Sequence, residues 1–494
     1  MPEKPQGLGA FFIALIFAFL KILARLPYPI LNAIGRTIGR LMYLIKKRRQ
    51  VVEANLRYCY PELSFDERQK LCKAHFLSLG TGFVELMVAW YKPFKDLEKY
   101  HEVKGLEHYQ KALESGRGIL FLGYHITSLE LAGALMSKYL DFAAFYRPNK
   151  NKALDYHIQK GRNNRTQTIG RNDIRSIGKW LKSGKHLWLM PDQDFGHKGT
   201  VFAPFYGKPM STITSPMRIA KLGNAIVLPV SYHKNKQGKM VIEVLPEIQF
   251  TGDDEIDCSM TNKILEVCID QAREQYYWVH RRFKTLPEGQ RGIYQQRPPK
   301  VKTITAEQHD GALYSGKIIS RINSLPKLVE TIDGQTLNLF QRRTSFGIDI
   351  TLQELQNMLQ KCYLLAFRGF YTISPQEFTY CAERQAYLLR YQQIPGISLQ
   401  HIPSDKHQAT AVLLGNWLGQ LHNEGVYLKD IRQTNIQILP NGNFVLLNPT
   451  ECQFFESSLN EKLKKKDQLS MLNAIDLLQQ ESCIKLFNEQ YQLH

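Results

Sequence analysis

At 494 residues the chain is too long for one ordinary core and predicts at least two domains. A hydrophobic content of 44% with 22% charged residues excludes a disordered chain. The net charge of +19 belongs to the first 300 residues, because residues 301–494 hold 18 basic and 18 acidic side chains. Only the first part needs an anionic partner, either nucleic acid or an acidic lipid surface.

Leu8 to Leu26 are apolar apart from Lys21 and Arg25, and Lys46-Lys47-Arg48-Arg49 follow. The run before Lys21 is short for a membrane span, and no small-residue cleavage site comes after it. A signal anchor, an interfacial helix and a re-entrant hairpin all fit, and each puts the basic cluster against cytoplasmic headgroups. No zinc-finger spacing, RNP strand or basic heptad accompanies the charge, which favours anionic membrane lipids over nucleic acid. Residues 1–45 are therefore read as membrane anchor or interfacial helices.

Residues 50 to 95 read as helices, with a turn at Pro61-Glu62-Leu63-Ser64 and a new amphipathic stretch from Asp66. Strand-like runs recur at Gly118–Leu122, His186–Met190, Ala225–Val230 and Met240–Leu245. Helical stretches separate them, and such alternation predicts an α/β sandwich over residues 46–296. Arg297-Pro298-Pro299-Lys300 reads as a stiff linker, assigned to 297–305, before a second domain at 306–494. The eight cysteines are scattered without C-x-x-C pairs or metal-ligand spacing, so reduced thiols and no metal are expected.

The most informative stretch is Gly123-Tyr-His-Ile-Thr-Ser-Leu-Glu130. His125 falls at the carboxyl end of a strand, just before a helix capped by Thr127 or Ser128, where open sheets place ligands. Five residues turn side chains about 140° apart on a helix, so His125 and Glu130 meet only if the histidine lies in the turn. In that arrangement His125 is a general base and Glu130 the carboxylate orienting its ring. No serine or cysteine stands in a G-x-S-x-G context, so a covalent intermediate is not expected.

Downstream come Arg147-Pro-Asn149, Gly161-Arg-Asn-Asn-Arg165, Met190-Pro-Asp-Gln-Asp-Phe-Gly196, Phe202-Ala-Pro-Phe-Tyr-Gly207 and Tyr277-Trp-Val-His-Arg-Arg-Phe-Lys284. With these motifs in this order, roughly the first 295 residues resemble the late acyltransferases of lipid A biosynthesis. The resemblance implies a glycerolipid-acyltransferase-like α/β sandwich at the cytoplasmic face of the bacterial inner membrane. It implies transfer of a fatty acyl chain from acyl carrier protein to a hydroxyacyl chain of a lipid A precursor, without a cofactor. Arg162 foremost, with Arg147 and Arg165, is expected to meet acceptor phosphates. Asp192 and Asp194 are expected to fix the arginines and the loop. Phe202–Gly207 reads as an apolar segment kinked by Pro204, and His280, Arg281 and Arg282 as cations ending a helix.

In the second domain a strand is read from Ala386, a helix at His407–Asn423 and a strand at Phe444–Leu447. Gly425-Val-Tyr-Leu-Lys-Asp-Ile-Arg-Gln-Thr-Asn-Ile436 resembles the catalytic loop of protein kinases and, more closely, of lipopolysaccharide core kinases. Asp430 matches the base of that loop and Asn435 its metal-binding asparagine. Two departures point to a degenerate kinase-like α+β fold. Asn448 stands where the magnesium-binding aspartate belongs, and the strand Thr336–Phe340 ends in Gln341-Arg342-Arg343 without the phosphate-pairing lysine. A bifunctional acyltransferase and sugar kinase, an acyltransferase for another glycolipid, and a non-catalytic membrane scaffold are the alternatives.

Overall fold

In the first unit, residues 1–63 and 67–294, four helices precede any strand: α1 (Leu8–Leu23), α2 (Tyr28–Tyr43), α3 (Lys46–Cys59) and α4 (Phe65–Tyr91). The computed structural model describes residues 5–494 except 147, 171–173, 289, 291, 295–297, 323–324, 331–334 and 342–351. Arg147, Arg297, Arg342 and Arg343 therefore lie outside the described residues. Helix α4 alone, among those described, is long and apolar enough to cross a membrane, yet half of its most apolar window is buried inside the protein.

Helices α2 and α4 touch backbone to backbone. A Cβ on Gly39 would collide with the Phe76 carbonyl oxygen, and one on Gly80 with the Gly35 carbonyl oxygen. Gly39→Leu should therefore push the helices apart and cost about 3 kcal/mol, readable as a lower melting temperature.

On α1, Phe17 is buried, with its ring stacked 4.5 Å from His157 and 6.2 Å from Trp90. The opposite face, Leu8, Phe11, Phe12, Leu15, Ile16, Phe19 and Ile22, is exposed. Those positions follow helical spacing, so they form one continuous apolar stripe.

The sheet follows in βα alternation: β1 (His101–Lys104), α5 (Leu106–Glu114), β2 (Ile119–Leu122), α6 (Leu129–Met136), β3 (Ala143–Tyr146), α7 (Lys152–Asn163), β4 (Gln167–Gly170), α8 (Ile174–Lys182) and β5 (Leu187–Leu189). It continues through β6 (Thr200–Phe205), β7 (Lys208–Ile213), α9 (Ser215–Gly223), β8 (Ile226–Lys234), β9 (Met240–Val244) and α10 (Asp254–Asp270). Seven strands join in the order β1-β9-β8-β2-β5-β3-β4, parallel throughout except where β9 meets β8.

Strand β2 is wholly buried and feeds both faces, as a two-residue side-chain period requires. Ile119 and Phe121 pack with Trp90, Leu131 and Leu135, while Leu120 and Leu122 pack with Ile177, Leu181 and Ile219. Its neighbours are β5 and β8, with Leu122 opposite both Leu189 and Pro229. Because β2 and β5 run parallel, the segments that follow them emerge at one edge of the sheet.

Phe202–Gly207 is not a kinked loop. Strands β6 and β7 form an antiparallel hairpin closed by Tyr206 and Gly207, both at positive φ. Such a turn matches strand twist, and Pro204 is tolerated because the ribbon has only two strands.

The second unit, residues 64–66 and 295–494, joins a mixed sheet to a mainly helical part. The sheet runs Val301–Ile304, Pro375–Cys381, Ala386–Gln392, Gln335–Gln341, Leu325–Glu330, Lys317–Ile322 in spatial order. The helices His407–Asn423, Glu461–Ala474 and Glu481–Tyr491 enclose a core around Leu414, Leu418, Met471 and Phe487.

Candidate active site

Strand β2 ends at Leu122, and the chain turns through Gly123 and Tyr124 into His125. Only glycine fits the first of these, since a Cβ there would collide with Trp188 Nε1 and the Tyr232 hydroxyl. The Tyr124 amide donates to that hydroxyl at 2.6 Å, and the two rings stack 4.8 Å apart. Beyond the turn, the His125 carbonyl accepts from the Tyr277 amide at 3.0 Å, and the Thr127 amide donates to the Gln275 carbonyl at 2.8 Å. The backbone is thus pinned on both sides of the imidazole before any side chain contributes.

Asp192 lies just past β5, the strand beside β2, and so reaches the same edge. Its Oδ1 stands 2.6 Å from His125 Nδ1, and its Oδ2 accepts the His125 backbone N–H at 2.9 Å. The carboxylate is buried, while the histidine side chain keeps 24% of its surface open. Burial alone would raise the Asp192 pKa; the adjoining His125, its two hydrogen bonds and the Arg282 charge outweigh this and hold it below the usual aspartate range. An ionised carboxylate only accepts, so Nδ1 carries a proton, and in the neutral ring that leaves the lone pair on Nε2.

This corrects the expected partnership of His125 with Glu130. Glu130 sits in the first turn of α6 and binds Arg162 instead, taking its Nε–H at 3.0 and 3.2 Å and also its Nη2–H. Trp90 Nε1–H donates to the second carboxylate oxygen at 2.8 Å. Gly161 is required beside Arg162 because a Cβ there would run into the Trp90 ring. Burial disfavours the Arg162 charge, but Glu130 more than offsets it and the guanidinium pKa is raised.

Arg165 is spent on backbone: it donates to the carbonyls of Ala89 and Lys92, and its guanidinium lies 4.2 Å from the Phe94 ring centroid. These bonds fasten the end of α4. Asp194 holds the loop, accepting from Thr285 N–H at 2.7 Å, Thr285 Oγ1–H at 2.9 Å and Gly196 N–H at 2.9 Å.

Nor do His280, Arg281 and Arg282 end a helix. The last α-helix of the unit stops at Asp270, a 3-10 turn covers Arg273–Gln275, and the segment carrying these three residues is irregular. His280 Nε2 accepts the Asp194 amide at 3.0 Å, and burial, aided by Arg282, pushes the His280 pKa down. Arg281 lies 5.5 Å from the Tyr294 ring centroid, whereas Arg282 is buried. Sequence reading did not single out Trp90 of α4, Tyr232 of β8 or Tyr276, and took Arg282 only for a cation ending a helix; none of these positions carries a spacing signal.

Among the described residues no group of three or more His, Cys, Asp and Glu side chains comes together to hold a metal. All eight cysteines are buried and free. In the second unit Asp430, Asn435 and Asn448 line one polar cavity of about 630 Å³. The Asp430 carboxylate pairs with Arg432 at 2.9 Å. The Asn448 side chain accepts from the Thr450 amide at 3.0 Å, and its carbonyl takes the Asn435 side-chain N–H at 2.7 Å. Buried Asp467 braces the loop through the amides of Leu428 and Lys429, at 2.6 and 3.0 Å.

A solved structure of a divergent kinase that regulates membrane ultrastructure of the Toxoplasma parasitophorous vacuole is similar over 33% of this chain and 62% of its own, at 16% identity. Its TM-score of 0.22 carries no argument. The first part of the chain has much nearer relatives. It is 36% identical over 275 residues to the lipid A biosynthesis palmitoleoyltransferase of Escherichia coli (strain K12), covering 55% of this chain and 90% of that protein. The lauroyltransferase of the same organism is 35% identical over 276 residues, again 55% of this chain and 90% of that protein. Its myristoyltransferase is 24% identical over 275 residues, 54% of this chain and 84% of that protein. The model of the bacterial lipid A biosynthesis acyltransferase family matches residues 5–285, which include the His125–Asp192 edge and exclude most of the second unit. With more than half of its length inside that match, the chain belongs to the bacterial lipid A biosynthesis acyltransferases and is an acyltransferase enzyme.

Proposed function

We propose that the first unit, a glycerolipid-acyltransferase-like sandwich, moves a fatty acyl chain from acyl carrier protein to a hydroxyacyl chain of a lipid A precursor, with His125 as general base. The observation that carries this reading is an imidazole locked by buried Asp192 on Nδ1 while its other edge stays partly open. Nε2 removes the proton of the acceptor 3-hydroxyl as that oxygen attacks the thioester carbonyl; the C–S bond breaks and the imidazolium returns the proton to the departing thiolate. Asp192 keeps the productive tautomer and offsets the imidazolium charge. Glu130 acts at one remove, aiming Arg162, whose Nη1 is not taken by Glu130, toward an acceptor phosphate. The test is transfer from acyl carrier protein to a lipid A precursor by the purified chain, with mass spectrometry of the product. No transfer by folded protein would overturn the reading.

We propose further that the enzyme works at the cytoplasmic face of the inner membrane with α1 lying in the interface. Its 16 residues span about 24 Å, short of a hydrocarbon core of roughly 30 Å. Its exposed apolar stripe supports burial in lipid instead. Lys46, Lys47 and Arg48 are exposed beyond it, but Arg49 packs on the Tyr43 ring at 5.0 Å and pairs with Glu53 at 3.5 Å. Neutralising the three exposed cations should weaken binding to anionic vesicles, more so at low salt, while turnover on detergent-dispersed substrate changes little. Equal binding to neutral and anionic vesicles would remove the electrostatic part.

The second unit we read as a kinase-like binding module without phosphotransfer. Support comes from Asp430, already tied to Arg432, and from Asn448, whose side chain is occupied by its own loop. No lipid-dependent phosphate release from ATP is expected. Release that disappears in Asp430→Ala would favour the bifunctional alternative.

A further inference from the structure

Two narrow cavities adjoin the turn that carries His125, and the mechanism above uses the interior of neither. The first lies between β8 and α10, with Gly123, Tyr124, Asp192, Val230, Leu265 and Met217 in its wall. At about 30 Å³ it has room for a water molecule, which needs about two to four polar partners to stay there. The hydroxyl, carboxylate and amide side chains of the wall are bonded within the fold instead. Tyr124 donates to the Tyr232 carbonyl at 3.2 Å, Thr212 to that of Met210 at 3.1 Å and Thr261 to that of Asp257 at 2.8 Å. Asn262 Nδ2 donates to the Pro204 carbonyl at 3.1 Å and to Thr212 Oγ1 at 3.0 Å, and Asp192 holds His125 with both oxygens. What faces inward is apolar. A gap so lined costs its wall atoms dispersion contacts, and hydrocarbon restores them without stranding a donor or acceptor.

Position says which hydrocarbon. Tyr124 immediately precedes His125, and Asp192 holds the imidazole, so one end of the cavity reaches the turn of the base. The other end follows α10 toward its start. Tyr124 packs in the same core cluster as Cys268, whereas Met217 packs with Cys258, ten residues or about 15 Å earlier on that helix. The second cavity, of about 50 Å³, is walled by Trp90, Gly133, Ala134 and Trp188 and carries Glu130 and Arg162. Trp90 is a ring on which Phe17 of α1 stacks. That side therefore adjoins the helix proposed to lie in the membrane and holds a cation for a phosphorylated acceptor. The α10 cavity has neither, and suits the chain that arrives on a soluble carrier.

We infer that the cavity between β8 and α10 takes the hydrocarbon tail of the acyl donor, and that Leu265 in its side and Met217 at its far end select chain length. The inference rests on His125 being the base, because the thioester carbonyl then stands at the turn while the tail runs away from it. A chain enters such a slit by parting its walls. Met217, unbranched and set in the first turn of α9, is the wall able to yield. Shortening Met217 extends the cavity, and enlarging Leu265 closes it part-way.

The experiment lets carrier-bound donors of different chain length compete for one lipid A precursor and reads the product masses, for the full chain, M217A and L265F. In M217A the donor two carbons longer than the one the unaltered chain prefers should gain about tenfold in relative use. In L265F a shorter donor should gain by a similar factor. A lesion that only loosens the fold lowers transfer from every donor alike, so an unmoved ratio in the folded variants overturns the inference. Should the variants accumulate poorly, the unaltered chain decides. A dodecanoyl carrier protein with a diazirine on the last carbon, irradiated in complex, should label Met217 or its neighbours on α9 and α10. Label on Ala134 or Trp188 puts the donor tail in the second cavity and overturns the inference, as does label confined to α1. Labelling needs no turnover and is repeated in H125A. If H125A still transfers acyl chains, the base assignment has failed; if it is inactive and the label lies away from α9 and α10, only the inference about the tail has.

Discussion

His125→Ala should lower acyl transfer by on the order of 100- to 10,000-fold while leaving the fold and vesicle binding intact. The imidazole sits in a turn whose backbone bonds to Tyr277 and Gln275 do not depend on the side chain, so its removal costs little structure. What disappears is the lone pair at Nε2. Activity measured at saturating acyl donor, beside a melting curve, separates the two effects. Near-normal turnover would mean that some other group takes the hydroxyl proton, and the mechanism above would fall.

Asp192→Asn has the second largest expected effect, a loss of about 10,000-fold if the pair works as a base and its orienter. An asparagine at this site can offer its amide to Nδ1, which would leave the proton on Nε2 and the ring unable to accept from substrate. Glu130→Gln should behave differently: it loosens Arg162 and shows first as a raised KM for the phosphorylated acceptor, with a smaller fall in kcat. If Glu130→Gln abolished kcat while Asp192→Asn left it unchanged, the orienting role would return to Glu130. Asp192 also predicts a pH dependence of stability. Its folded pKa is depressed, so its contribution is present above the unfolded value of about 3.9 and is lost as pH falls through the lower folded value. Asp192→Asn should flatten acid denaturation in that window.

Much of the first unit was legible in its residues. The apolar run Gly118–Leu122 reads as a buried strand ending before His125, and β2 spans Ile119–Leu122. In the second unit the helix read at His407–Asn423 spans those residues. Apolar patterning carries such information because burial is decided locally, by which side chains repeat at two or 3.6 residues. Phe202–Gly207 was misjudged because Pro204 argues against a strand unless the ribbon has no second neighbour, and neighbour number is not a local property.

By itself the sequence determined that Gly118–Leu122 leads His125 into a strand-to-helix turn, and that a basic, apolar N-terminal part precedes a second part whose charges balance. Only the tertiary structure decided which carboxylate meets the imidazole. Glu130 is five residues from His125, yet α6 carries it to Arg162 and Trp90; Asp192 is 67 residues away, yet β5 lies beside β2 and delivers it to Nδ1. Strand order comes from the packing of whole helices on a sheet, a sum over many contacts that no short motif contains.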